Sequence, residues 1–203
     1  MDDKIKIGIM GGTFDPIHYG HLATAEAVRK KYGLEKVLFI PSGNPPHKTD
    51  RDITSKSHRY NMSILATVSN DFFEVSDVEI QKDRLSYTVD TLLELSEKNP
   101  NAQYYLIMGA DAFCDIETWS RVEKLFELSK VVGATRPGID MDDFKRNITK
   151  IQQKYKTQIL HVHVPSLDIS STDIRDRIKY GMTIKYLLPE NVEKYIYKYN
   201  LYR

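Results

Sequence analysis

The sequence predicts an α/β fold, a parallel sheet with crossover helices. Three observations predict it. Six short, β-branched apolar runs alternate with longer segments of helical period, the pattern of strands joined by helices. Several of those runs lead straight into turns rich in Gly, Pro, Asp or Ser, where parallel folds place their ligands. The chain has 203 residues, 41% hydrophobic and 28% charged, a length for which one domain over residues 1–203 is the default.

In chain order, Ile5–Met10 is the first expected strand, and Gly20–Tyr32 the first helix. Val37–Ile40 is apolar and strand-like, and the polar, Pro-containing stretch Pro41–Ser57 follows as a functional loop. Ser57–Ser69 has helical period, Phe72–Val75 reads as a strand, and Tyr87–Lys98 as a helix. Tyr104–Met108 and Val131–Ala134 are strands flanking a helix at Trp119–Leu128. Met141–Tyr155 is helical, and Leu160–Val164 is a strand whose His161 and His163 alternate with apolar residues. From about residue 170 the chain turns helical, with Thr172–Tyr180 and Pro189–Tyr199. The tyrosines of the second of these are read as packing, with a homo-oligomer contact as the other reading.

Composition bounds the function. The formal net charge is +1, which argues against a nucleic-acid coat or a polybasic membrane binder. No apolar run approaches the roughly 20 residues that span a bilayer. Cys114 is the single cysteine, so neither a disulfide framework nor a cysteine-based zinc site is expected. The N-terminus has no secretory apolar region, and a cytoplasmic location is expected.

Chemistry concentrates in two turns. Four of the ten glycines fall between positions 8 and 20, where they allow tight turning and close backbone approach to a phosphate. Neither a Walker A loop nor a Gly-x-Gly-x-x-Gly fingerprint is present. In their place His18 and His21 stand three residues apart at a helix entry, on one face of a turn, able to aim two N–H donors at one spot. Zinc is not the expected occupant, because a third ligand at suitable spacing is missing. Far along the chain, Ser170-Ser171-Thr172 precedes a helix and supplies an N-cap with free N–H groups. Arg175, one turn in, adds a charged fork suited to phosphate oxygens.

Gly11-Gly12-Thr13-Phe14-Asp15-Pro16-Ile17-His18-Tyr19-Gly20-His21 resembles the HxGH signature of the nucleotidylyltransferase superfamily, and Ile169-Ser170-Ser171-Thr172-Asp173-Ile174-Arg175 resembles its second motif. The resemblance implies a Rossmann-like parallel sheet with helices on both faces. It implies transfer of a nucleotidyl group from a nucleoside triphosphate with release of pyrophosphate. His18, His21 and Arg175 would be the catalytic residues. Gly11, Gly12, Thr13, Phe14, Arg136, Ser171 and Thr172 would join them in holding ATP.

The acceptor is read from the middle of the chain. Phosphopantetheine adenylyltransferases usually carry threonine where this chain has His18. Gly109-Ala110-Asp111 followed by Trp119-Ser120-Arg121, Ser86-Tyr87-Thr88, and Pro41-Ser42-Gly43-Asn44-Pro45-Pro46-His47-Lys48 resemble three blocks of the nicotinate mononucleotide adenylyltransferases. Carried over, Asn44, His47, Lys48, Tyr87, Thr88, Asp111 and Trp119 would bind the mononucleotide. The indole of Trp119 suits stacking on a flat heteroaromatic ring. Asp111 could accept from ribose hydroxyls, and Thr88 could offer backbone N–H groups to a carboxylate. Mg²⁺ is expected to arrive on the ATP phosphates, with no protein metal site. The other readings are a nucleotidylyltransferase with a different phosphorylated acceptor, such as nicotinamide mononucleotide or phosphopantetheine, and a nucleotide sensor without turnover.

Overall fold

The computed structural model describes residues 4–45, 53–135, 138, 140–164 and 167–203. All six expected strands form, as β1 (Ile5–Gly12), β2 (Lys36–Pro41), β3 (Phe73–Val75), β4 (Ala102–Gly109), β5 (Ser129–Thr135) and β6 (Ile159–His163). They make one parallel sheet in the order β3-β2-β1-β4-β5-β6. The chain therefore begins in the middle, winds outward to β3, and returns to β4 on the other side of β1. At such a switch point the connections after β1 and β4 leave in opposite directions and open a crevice at the carboxyl ends of the strands.

The connections are α1 (Tyr19–Tyr32), α2 (Lys56–Thr67), α3 (Thr88–Lys98), α4 (Ala110–Cys114), α5 (Val122–Leu128) and α6 (Met141–Tyr155), with α7 (Ser171–Lys179) and α8 (Glu190–Lys198) after β6. Alternate strand residues face opposite sides of the sheet, and both sides are covered. Ile7, Ile9, Tyr104, Leu106, Met108 and Val131 pack with Leu92 and Leu95 of α3, Phe113 of α4, Leu125 and Phe126 of α5, and Phe144 and Ile151 of α6. Met10, Val37, Phe39, Tyr105, Ile107 and Val132 pack with Ala25 and Val28 of α1, Met62 and Ala66 of α2, Ile174 and Ile178 of α7, and Val192 and Ile196 of α8. Burial on both faces is why these strands read as continuous apolar runs.

Boundaries moved by a residue or two at most elements, as helix ends do. The exception is the helix expected from Trp119. It starts only at Val122, and Trp119 itself is extended, with φ −75° and ψ 146°. Two short elements precede it, α4 and a 3-10 turn at Ile116–Thr118. At five and three residues they are too short to show a period in the sequence.

The tyrosine-rich α8 lies on α2. The Tyr195 hydroxyl stands 2.9 Å from His58 Nδ1 and accepts from Asn61 Nδ2 at 3.1 Å. Tyr199 packs on both, with ring centroids 4.5 Å from Tyr195 and 5.2 Å from His58.

Two substitutions check this layering. Leu92→Ala, at a fully buried position under the sheet, is expected to cost about 2–5 kcal/mol in chemical denaturation. Val68→Ala, at a position 69% exposed just past α2, is expected to change stability by no more than about 0.5 kcal/mol.

Candidate active site

The first turn is built around two imidazoles. β1 ends at Gly12, and Phe14 follows with φ +50° and its ring buried. That ring meets His21 edge-on, with centroids 5.0 Å apart. His18 caps α1 in extended conformation, and its backbone N–H donates to His21 Nδ1 at 3.2 Å. An imidazole nitrogen that accepts a hydrogen bond carries no proton, so the His21 proton sits on Nε2. Burial, and then the neighbouring His18 ring, hold the His21 pKa well below the ordinary histidine value. His21 is thus a neutral ring with a fixed Nε2–H donor. The two rings stack with centroids 3.8 Å apart, as their spacing of three predicts. A Cβ at Gly20 would lie 3.0 Å from His18 Nδ1, so the glycine between the histidines leaves room for the His18 ring.

The second turn closes on the first. Ser170 Oγ accepts from the Asp173 N–H at 3.0 Å and caps α7. Ser171 Oγ donates to the Pro16 carbonyl at 2.9 Å, and Arg175 Nη1 donates to the Asp15 carbonyl at 2.8 Å. Arg175 Nη2 donates to Thr172 Oγ1 at 3.2 Å. Two motifs separated by about 155 residues are joined through direct bonds. These bonds use two of the five N–H donors of the guanidinium.

Between them a cleft of about 640 Å³ opens at the switch point. Of the residues singled out in the sequence, Gly11, Gly12, Thr13, His18, His21, Tyr87, Thr88, Asp111, Trp119 and Ser171 line it. Thr88 opens α3 behind its N-cap Tyr87. Asp111 lies in the first turn of α4, and Trp119 on the loop before α5. An ion pair between Arg121 and Asp90 ties that loop to the start of α3.

Four other residues are near but not among the lining. Phe14 supports His21 from behind. Thr172 and Arg175 brace the two motifs together. Asn44 is exposed, and its side chain donates to the Asp83 carbonyl at 2.8 Å. His47, Lys48 and Arg136 lie outside the described residues.

Sequence reasoning missed a buried scaffold beneath the cleft. Arg59, on α2, is 2% exposed. Its Nη1 donates to the Thr13 carbonyl at 2.7 Å, Nη2 to Gly43 at 3.1 Å, and Nε to Thr54 at 2.9 Å. One side chain thereby holds the loop after β1 against both flanks of the loop after β2. Asp15 is a second junction. Its Oδ1 accepts from the Tyr202 hydroxyl at 2.7 Å, and its Oδ2 from the Thr54 N–H at 3.4 Å. An arginine among the polar residues of Ser57–Ser69 carries no signal in the sequence that distinguishes it from a solvated one.

Two measurements check this geometry. Long-range ¹H–¹⁵N correlation spectra are expected to show His21 with a bare Nδ1 and a protonated Nε2, and to keep it neutral below pH 6.5. Arg59→Lys keeps the charge but cannot reach three carbonyls, and is expected to lose about 1.5–3 kcal/mol of stability in denaturant titrations.

Comparison with known proteins agrees with this arrangement. The sequence pattern described as cytidylyltransferase-like matches residues 9–177. A relative from Thermoanaerobacter sp. (strain X514), named probable nicotinate-nucleotide adenylyltransferase, is 52% identical over 100% of this chain and 97% of its own. One of the same name from Moorella thermoacetica is 50% identical over 98% of this chain and 92% of its own. Among solved structures, Plasmodium falciparum nicotinic acid mononucleotide adenylyltransferase complexed with NaAD superposes with a TM-score of 0.79 at 26% identity, covering 97% of each chain. The same enzyme complexed with APC gives 0.77 at 25% identity, covering 97% of this chain and 96% of that one. The chain belongs to the cytidylyltransferase-like family, among its nicotinate-nucleotide adenylyltransferases.

Proposed function

We infer that the chain transfers AMP from ATP to nicotinate mononucleotide, giving deamido-NAD and pyrophosphate. The observation that carries this reading is the joining of Gly11–His21 to Ser170–Arg175 across the mouth of one cleft. Family membership at about half identity over the whole chain supports it. So does the structural neighbour complexed with NaAD.

The reaction needs little covalent work from the protein, because both substrates are anions that must be aligned and partly neutralised. An oxygen of the mononucleotide 5′-phosphate attacks the α-phosphorus of ATP. The bond from that phosphorus to the bridging α,β-oxygen breaks, and pyrophosphate leaves with its electron pair. We assign the triphosphate to the backbone of Gly11–Phe14 and the donors His18, His21, Ser171, Thr172 and Arg175, and we keep Arg136 as a further candidate on the family resemblance. His21 contributes as a neutral N–H donor to charge developing between the α- and β-phosphates. Mg²⁺ belongs to the nucleotide substrate in this scheme. It would supply positive charge at the phosphates, leaving the histidines and Arg175 to face the charge that remains.

The acceptor is assigned to the other end of the cleft. Trp119 offers its indole face to the pyridine ring, and Asp111 accepts from ribose hydroxyls. The first turn of α3, at Tyr87 and Thr88, has a backbone N–H terminus suited to the nicotinate carboxylate. His47 and Lys48 would meet the 5′-phosphate. Asn44 is assigned to the same substrate.

The test is pyrophosphate release with Mg-ATP and, in parallel, nicotinate mononucleotide, nicotinamide mononucleotide or phosphopantetheine. Turnover is expected with the first, and much less with the others. Equal rates with acid and amide would overturn the carboxylate assignment at Thr88. Activity only with phosphopantetheine would overturn the acceptor, and silence with all three would favour a sensor. His21→Ala is expected to lower kcat about 10²–10³-fold, as loss of a transition-state donor does, with the fold retained by circular dichroism.

A further inference from the structure

Glu79 is a buried acid that the proposed chemistry does not use. It is 7% exposed and borders the cleft, in the segment between β3 and α3. Thr91 Oγ1, one turn into α3, donates to Glu79 Oε1 at 2.7 Å. The Ser86 hydroxyl and the Gly43 backbone N–H face the same carboxylate and favour its charged form. The three groups come from three pieces of chain: the loop after β2, the turn before α3, and α3 itself.

The approach is close enough to dictate a residue. A Cβ on Gly43 would lie 2.2 Å from the Glu79 carbonyl oxygen, so only glycine permits the contact. Beside it the Ser86 N–H donates to the Asn44 carbonyl at 3.0 Å, and the Asn44 N–H to Ser86 Oγ at 3.4 Å. A carboxylate has several lone pairs and no donor, so it can serve all three N–H and O–H groups together. A glutamine in its place offers one oxygen and turns an NH₂ toward donors. Burial pushes the Glu79 pKa up, while Thr91, Ser86, Gly43 and Lys82 work against that rise. An uncompensated anion at such a position would be costly to the fold.

We propose that Glu79 is a positioning residue for the acceptor: its carboxylate clamps the Ser86–Thr88 turn against Gly43, so that the first turn of α3 meets the mononucleotide. The proposal rests on the reading that the acceptor occupies the Trp119 and Thr88 end of the cleft. The donors assigned to ATP at His21 and Ser171 bond to His18 and to the Pro16 carbonyl, away from the turn that Glu79 holds, so its loss should weaken one substrate and not the other.

Trp119 is the sole tryptophan and lines the cleft, which makes its emission a reporter for the acceptor. Glu79→Gln is expected to raise the Kd for nicotinate mononucleotide about tenfold, the scale of one hydrogen bond to a charged group. ATP affinity by calorimetry, and kcat with both substrates saturating, should stay within about twofold. Thr91→Val, which keeps the carboxylate and removes one donor, should weaken the mononucleotide in the same selective way, by a smaller factor. A folded Glu79→Gln protein that binds the mononucleotide like wild type overturns the proposal. Equal weakening of both substrates overturns it too. If Glu79→Gln does not fold, Thr91→Val decides: selective loss supports the assignment, and unchanged or unselective binding overturns it. Wild type that fails to bind nicotinate mononucleotide overturns this proposal and the proposed acceptor together, whereas competent wild type beside an indifferent variant overturns only the role of Glu79.

Discussion

The site depends on two hydrogen bonds that close the chain on itself, from Ser171 Oγ to the Pro16 carbonyl and from Arg175 Nη1 to the Asp15 carbonyl. Both acceptors are backbone atoms in the turn between β1 and the His18–His21 pair. Without these bonds α7 would be held mainly by the apolar contacts of Ile174 and Ile178, which fix its distance from the sheet better than its rotation. Hydrogen bonds add direction. They set the N-terminus of α7, with its capping Ser170, on the same crevice as the end of β1.

Beneath that closure lies a second layer of polar groups that face inward. Arg59 spends its guanidinium on three carbonyls, and Asp15 gathers a tyrosine hydroxyl and a backbone N–H. These groups serve loops that have no ladder of their own, since the segments after β1 and β2 leave the sheet with unsatisfied carbonyls. A buried charge is tolerable where hydrogen bonds compensate it, and both Arg59 and Asp15 have such partners under the cleft. The consequence for the site is rigidity in a region where the backbone is irregular. His21 benefits directly. Its tautomer is set by a backbone N–H, so its donor is in place before any ligand arrives.

The electrostatics suit the proposed chemistry. His21 is kept neutral by burial and by its stacked neighbour, so it presents a directional dipole and adds no charge to the cleft. Positive charge enters from Arg175, at the edge of the closure. The opposite end of the cleft has an aromatic face, a helix N-terminus and the Asp111 carboxylate. The two ends differ in chemistry, which fits two anionic substrates meeting head to head.

Much of this was legible in the residues. The central strands followed from apolar runs that are buried on both faces, β6 from an alternation of apolar residues with His161 and His163, and the imidazole pair from a spacing of three at a helix entry. A cap within Ser170-Ser171-Thr172 followed from the place of that run ahead of a helical period, and the structure makes it Ser170. Asn44 reads as a ligand in the sequence, and the structure adds a bond from its amide to the Asp83 carbonyl that an amide in a polar loop does not announce. Trp119 was placed on a helix and stands in an extended loop, because turns of three to five residues leave no period to read. Sequence by itself determined the layers, the chemistry of the two motifs and the side of the sheet that carries them, since periodicity and motif spacing are local properties. Only the tertiary structure decided that Ser171 and Arg175 bond the first turn, that Arg59 and Glu79 face inward, and which nitrogen of His21 bears the proton. Each of those depends on partners brought close by folding from distant parts of the chain, and no local pattern encodes such distances.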